Sequence, residues 1–331
     1  MHALELQTAF FRHLKEKLPN HLSLVDEVAA LLNISNDSAY RRIRGDKTLA
    51  FDEIQVLADH YGVSLDRFLG LRTDAFLFSG NLINREKFEM NDYLERMANQ
   101  LAYFANAEKK QMYYFNRDIP LFYNFMFPEL AAFKCYFWSR YNLNSPQYNR
   151  GQFLIEDFVN IFNKTGKKIV DLYLQIPSTE IWNLDCINTT IRQIDYYRET
   201  KIFKSHEDVH TLYNCLDKLV DHIEGQVELG VKFPYGRPKE QANVKYKIYV
   251  NEFVLGDNTV IMVLDGQKFV FMNHSIINYF MTRDEKFTNY VYDTLQVLLK
   301  KSTLISETGE KERQLFFDTL RHRIYEKRKL V

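Results

Sequence analysis

Arg41, Arg42, Arg44 and Lys47 place four cations within seven residues, inside the stretch SNDSAYRRIRGDK at positions 35–47. Guanidinium groups suit two-bond contact with guanine edges and ionic contact with phosphates. Ser35, Asn36, Asp37, Ser38 and Tyr40 precede or interleave them with short hydrogen-bonding groups and one aromatic hydroxyl. The bland alternative is a solvated helix face that binds nothing. The whole-chain balance does not attract nucleic acid: 43 basic and 43 acidic residues leave a net charge of zero. Residues 1–72 hold nine Lys or Arg against ten Asp or Glu, yet four of those nine lie in this one stretch. Positive charge is therefore local.

A second pattern could do different chemistry. Residues 206–210 read HEDVH, the H-E-x-x-H spacing that puts His206 and His210 on one helix face as zinc ligands, with Glu207 as general base. Three features argue against that reading. Asp208 adds a charge inside the motif. Ser205 and Asp208 have capping-box spacing, which explains the pattern as a helix start. The third ligand has only Glu224 and Glu228 as candidates. No glycine-rich phosphate loop and no G-x-S-x-G turn is present. No catalytic residues, metal or cofactor are therefore expected.

The elements that must position the cationic stretch are helical. Leu4, Ala9, Phe10, Phe11 and Leu14 predict a helix ending before Pro19. Val28, Leu31 and Leu32 predict a second, ended by Asn33, and Ser35 offers an N-cap to a third that stops at Gly45. Phe51, Ile54, Val56, Leu57 and Tyr61 predict a fourth up to Gly62, and Ser64 starts a last turn through Leu69. Residues 71–84 read as a connector. From about 83 to 106, Met90, Leu94, Met97, Leu101 and Phe104 fall four, three, four and three apart, a seam suited to a partner helix or to packing within the chain. Beyond 111 the sequence turns β-rich at QMYYF, KIVDLYLQI and VELGVKF, and most clearly in KYKIYVNEFVLGDNTVIMVLDGQKFVFM. There Gly256-Asp257-Asn258 and Asp265-Gly266 are turns between three runs, and TVIMVL, apolar on both faces, predicts a central strand. Helices are expected near 119–141, 152–164, 188–199, 206–224, 275–282, 285–302 and 308–326.

The order of features in VDEVAALLNISNDSAYRRIR, with GDKTLAFDEIQVLADHYGVSLDRFLG after it, resembles the lambda-repressor and Cro-like (XRE-type) helix-turn-helix family over about residues 22–70. Ala29 stands where the helices cross, Asn33 where the turn needs positive φ, Ile34 where an apolar group tucks in. Ala39 and Ile43 are expected to face inward. The family usually carries an apolar residue three positions after Ala39; this chain has Arg42. The resemblance implies a recognition helix whose N-terminal part enters the major groove of double-stranded DNA. On that placement Asn36 and Ser38 reach base edges, Arg41 grips a guanine, and Tyr40, Arg42, Arg44 and Lys47 hold phosphates, beside Ser35 and Asp37 on the exposed face. Regulators of this kind usually dimerise, so a homodimer is expected.

Composition sets the remaining bounds. With 46% hydrophobic and 26% charged residues over 331 positions, the chain is expected to be globular and multidomain. Cys135, Cys186 and Cys215 are odd in number and widely spaced, which fits buried reduced thiols of a cytoplasmic protein rather than a disulfide frame. The amphipathic, charged N-terminus does not read as a signal peptide, and no uncharged run is long enough to span a membrane. The expected arrangement is an all-α helix-turn-helix domain at 1–70, a connector with a potential dimerisation helix at 71–110, and a larger α/β or α+β domain at 111–331. The expected function is sequence-specific, DNA-binding transcription regulation with a C-terminal sensor or oligomerisation domain. A sensor would add a small-molecule effector, and FYNFMFPELAAFKCYFWSRY and IPSTEIWNL are candidate pocket walls, although core is the commoner role of such aromatic runs. The alternatives are an enzymatic, zinc-hydrolase-like partner domain or a protein-interaction adaptor.

Overall fold

The structure is a computed structural model that describes residues 3–19, 21–69, 76–80, 88–143, 148, 151–160, 163–237, 242–253, 258–275 and 277–330. Contacts divide the chain into two compact units, Met1–Leu77 and Phe78–Val331. The expected connector, residues 71–84, lies largely outside the described residues, as do Gly256 and Asp257 of one expected turn.

The first unit is helical: α1 (Ala3–Lys17), α2 (Leu24–Leu32), α3 (Asn36–Arg44), α4 (Phe51–Tyr61) and α5 (Leu65–Leu69). Local chemistry sets the boundaries. The Ser23 hydroxyl accepts from the Asp26 amide to start α2, and Asn33 ends it with φ 52°, ψ 50°. Gly45 and Gly62 end α3 and α4 with φ of 87° and 58°. At the start of α4, Glu53 accepts from the Ala50 amide at 2.9 Å, half of a capping box, because Ala50 has no side-chain acceptor to return the bond. Phe10, Phe11, Leu14, Val28, Ala39 and Leu57 fill a core of their own.

The second unit is mixed α/β. In chain order its elements are β1 (Ser79–Gly80), α6 (Met90–Ala105), β2 (Lys110–Phe115), α7 (Pro128–Phe137), α8 (Ile155–Phe158), α9 (Asn163–Tyr173), β3 (Ser178–Trp182), α10 (Asn188–Glu199), α11 (His206–Leu229), β4 (Val231–Lys232), β5 (Val244–Val250), β6 (Thr259–Leu264), β7 (Gln267–Asn273), β8 (Tyr279–Thr282), α12 (Glu285–Lys300), β9 (Thr303–Leu304) and α13 (Glu310–Arg328). Among the described residues these nine strands form one sheet in the order β1-β8-β7-β6-β2-β3-β5, with β4 and β9 each pairing with β5. β2, β3 and β5 run parallel, and the remaining pairs are antiparallel.

Side-chain alternation explains the layering. Met112, Tyr114, Trp182, Tyr246, Ile248, Met262 and Phe271 point into the large core that α6, α7, α9, α10, α11 and α13 cover. Phe115, Ile181, Ile261 and Val270 point the other way, onto Leu295 and neighbouring residues of α12. TVIMVL is β6, central and covered on both sides, as its pattern predicts. Asp265 and Gly266, with φ of 49° and 89°, make the tight β6–β7 turn.

Several expectations are corrected. KIVDLYLQI is mostly helix: Gly166, Ile169, Val170 and Tyr173 form a buried helical stripe on α9, and that period outweighs β-branched content. VELGVKF splits, because α11 continues on its apolar stripe to Leu229 and stops at Gly230, whose φ is 66°. The expected helix at 275–282 is a turn followed by β8, registered on β7 from Asn273↔Tyr279 to Val270↔Thr282. The seam of α6 is not free for a partner. Met90, Leu94, Leu101 and Phe104 are buried in the core of the second unit and α6 packs on α9, so this helix belongs to that unit and is no connector.

Candidate nucleic-acid interface

The cationic stretch forms α3. Its start is fixed by Ser35, whose Oγ accepts from the Ser38 amide at 3.3 Å and donates to Ser38 Oγ at 3.1 Å. Asn36 Nδ2 donates to Asp26 Oδ1 at 2.8 Å, which ties the first turn of α3 to the first turn of α2. The far end is held by Gln7 of α1. Its Nε2 donates to the carbonyls of Arg42 and Lys47 at 2.7 and 2.8 Å, and its Oε1 accepts from the Leu49 amide at 3.0 Å. One side chain thus locks the C-terminus of α3 and the loop after it to α1.

The outward face carries Asp37, Tyr40, Arg41 and Arg44, spaced three, four and seven from the first, so they make one stripe. All four are exposed, as are Ser35, Asn36 and Lys47, while Ser38 is half-buried. No hydrogen bond or ion pair to a described residue holds the Arg41 side chain. Arg44 lies 5.7 Å from the Tyr40 ring centre and 3.9 Å from Asp46, contacts too solvated to fix it. The stripe is a helix face whose ends are hydrogen-bonded in place and whose guanidinium groups are exposed.

Arg42 is a correction. It was expected on the outside, holding a phosphate; it is 5% exposed and points inward beside Ala39. Its Nε and Nη2 donate to the two carboxylate oxygens of Glu53 at 3.0 and 2.6 Å, and its Nη1 donates to the Ser38 carbonyl at 3.2 Å. The physical reason is the helical period: position 42 falls three after Ala39, on the face toward α4. The fork of the guanidinium, matched by Glu53, makes a charge tolerable there. Arg42 holds Glu53 below the usual carboxylate range, burial opposing. Ile43, expected inside, is only half-buried.

The zinc reading finds no site. His206 and His210 sit at the exposed and half-buried start of α11, and among the described residues no three His, Cys, Asp or Glu side chains cluster to hold a metal. Glu224 lies roughly 21 Å further along the same unbroken helix from His210, at 1.5 Å per residue, and is paired with Arg321. Ser205 does cap α11, accepting from Glu207 rather than Asp208. Asp208 is buried and accepts from the Ile155 amide at 2.8 Å, so it starts α8 instead.

The two aromatic segments diverge. Phe122, Asn124, Lys134 and Trp138 of the first line a cleft in the second unit, whereas IPSTEIWNL does not reach it. Glu180, which with Thr179 reads in the sequence as a polar group in an apolar frame suited to orient a ligand or cap a helix, does neither: it sits in mid-β3 and is fully buried. It accepts from Tyr173 Oη at 2.5 Å, Trp182 Nε1 at 2.8 Å, Ser178 Oγ at 2.9 Å and Asn116 Nδ2 at 3.2 Å. Beneath it Lys232 is 2% exposed, with Nζ 3.5 Å from the Tyr173 ring centre and 2.9 Å from the Ile176 carbonyl. No sequence signal distinguishes this network, because a single acid in an apolar run reads equally as an edge or a cap.

Burial pushes Lys232 down to about 7 and Lys134 to about 8, although Glu180 and Asp118 respectively pull them up. Burial pushes the three thiols and the enclosed tyrosines up, Cys215 to about 12. Between the folded lysine values and their ordinary 10.5 the unfolded chain binds more protons, so stability rises with pH. Above about 9 the unfolded thiols, and then the tyrosines, lose protons that the folded chain keeps, so stability falls. The urea midpoint of the second unit is therefore expected to peak near pH 8 to 9. Trp138 and Trp182, the only tryptophans of the chain, both lie buried in that unit, so fluorescence reads it alone.

No family model, curated protein or solved structure matches the chain. No described helix is long and apolar enough to cross a membrane.

Proposed function

We propose that the chain is a sequence-specific DNA-binding transcription regulator. On this reading residues 1–70 are a helix-turn-helix domain of the lambda-repressor-like kind and α3 is its recognition helix. The second unit serves sensing, self-association or both, and a homodimer on a two-fold site is the working form. The observation that carries the reading is the exposed Tyr40–Arg41–Arg44 stripe, on a helix fixed at one end by Ser35 and Asn36 and at the other by Gln7. Such fixation pre-positions the helix backbone, so that only the exposed side chains are ordered at binding. Arg41 reads a guanine, Asn36 and Ser38 lie at the groove-entering end, and Arg44, Tyr40 and Lys47 meet phosphates.

The test is selection of genomic fragments by the purified chain near physiological salt, beside the Arg41→Ala/Arg44→Ala variant. A palindromic site is expected, with affinity lowered about 10- to 100-fold in the variant, the loss of one two-bond base contact and a phosphate contact. Affinity for the selected site should also fall steeply with salt. Equal affinity of the two proteins for the selected site would refute the assignment.

A further inference from the structure

The cleft lined by the first aromatic segment holds about 170 Å³ of free volume. That admits a small organic molecule rather than only a water or an ion. Its wall is mostly apolar: Leu101 and Phe104 of α6, Trp138, and Phe271 of β7. Charged, amide and hydroxyl groups interrupt the wall, and three of these side chains, Lys134, Asp118 and Asn278, have incomplete hydrogen bonding among the described residues. Lys134 is 4% exposed, and its ammonium donates to Thr190 Oγ1 and Gln193 Oε1, both at 2.7 Å. An ammonium has three N–H donors, so one remains. Asp118 and Asn278 each have a buried Oδ1 with no partner among the described residues. A buried acceptor without a donor costs free energy until something supplies one.

Thus the cleft has one spare cationic donor, two spare acceptors of which one is a carboxylate, and an aromatic wall. The charges of Lys134 and Asp118 cancel, so a net-neutral guest fits. A lone carboxylate would meet Asp118, and a lone amine would meet Lys134, each with like charge. A head carrying both groups answers each with its opposite. We infer that this cleft binds a free apolar α-amino acid, with its carboxylate on Lys134, its ammonium on Asp118 and the Asn278 carbonyl, and its side chain along Leu101, Phe104, Trp138 and Phe271. The inference does not rest on the DNA-binding reading, since it concerns the second unit by itself.

Calorimetry on the full chain tests it with L-phenylalanine, L-leucine, L-methionine and L-tryptophan as probes. 3-Phenylpropionate and 2-phenylethylamine serve as the two half-heads. At least one amino acid is expected to bind about tenfold or more tightly than either half-head, the effect of one charge-assisted hydrogen bond. Lys134→Gln should abolish that preference. Met97→Trp, which puts a larger side chain into the cleft wall, should abolish binding altogether and covers the case in which Lys134→Gln does not fold. No binding by any of the four amino acids at roughly 10 mM, weaker than any specific site of this size, would overturn the inference. So would half-heads that bind as well as amino acids, or binding that survives Met97→Trp.

Discussion

Glu180→Ala is expected to destabilise the second unit by about 3–5 kcal/mol, the scale for breaking a buried, hydrogen-bonded charge. The carboxylate is the shared acceptor for Tyr173, Ser178, Trp182 and Asn116. Alanine leaves those donors in a space that water does not enter. It also removes the negative charge that offsets the buried Lys232. The measurement is the urea midpoint followed by tryptophan emission, which reports the event directly because Trp182 is one of the donors. Glu180→Gln should fall between wild type and alanine, since an amide keeps one acceptor but brings two donors that need partners. Replacing both charges, as Glu180→Leu/Lys232→Met, should recover part of the loss, because apolar groups of similar volume need no partner. A midpoint for Glu180→Ala within error of wild type would mean that the network is not a unit.

Arg42→Ala should unfold or severely loosen the first unit while Arg41→Ala/Arg44→Ala leaves it intact. The two exposed arginines make no contact that folding needs. Arg42 makes a two-bond ion pair with Glu53 and a third bond to the Ser38 carbonyl. Truncation leaves a half-buried carboxylate with only the Ala50 amide and costs about 1.5–3 kcal/mol, the scale of hydrogen bonds to a charged group, a large share of the roughly 5 kcal/mol that a small helical unit has in all. Hydrogen exchange at amides of α2, α3 and α4 is the measurement, since both tryptophans lie in the other unit. The pair also carries an acid signature. Glu53 titrates below its ordinary 4.5, so its contribution is complete above that value and disappears as pH falls through the folded one. Protection in Arg42→Ala equal to wild type would return Arg42 to the surface set.

What was legible in the sequence was what local chemistry decides. Ser35, Asn33, Gly45 and Gly62 mark helix ends by capping and by positive φ, and each stands where it was expected. Asp265-Gly266 marks its turn for the same reason. Misreadings arose where two rules compete. In KIVDLYLQI, β-branched residues outvoted a stripe that repeats with the period of a helix. In the seam of α6, heptad spacing cannot tell a partner helix from α9 of the same unit, because both present an apolar groove. At Arg42 the charge suggested solvent although its position faced α4, and only the matching Glu53, eleven residues on, makes the inward placement tolerable. The hydrogen-bond partners of Glu180 and of Lys134 were illegible for a further reason. They come from strands and helices far apart in sequence, and no spacing rule reaches that distance.

The order of strands in the sheet has a consequence for how the chain is born. The hydrophobic core of the first unit is built from its own residues, so it can close soon after they leave the ribosome. The second unit has no such freedom. β2 must wait for β6, with Lys110 opposite Leu264, and β1 must wait for β8, with Ser79 opposite Met281. Until β6 emerges, β2 carries an unpaired edge, the state most open to aggregation and to chaperones. Nascent chains stalled before residue 259 should therefore present a finished head on an unfinished body.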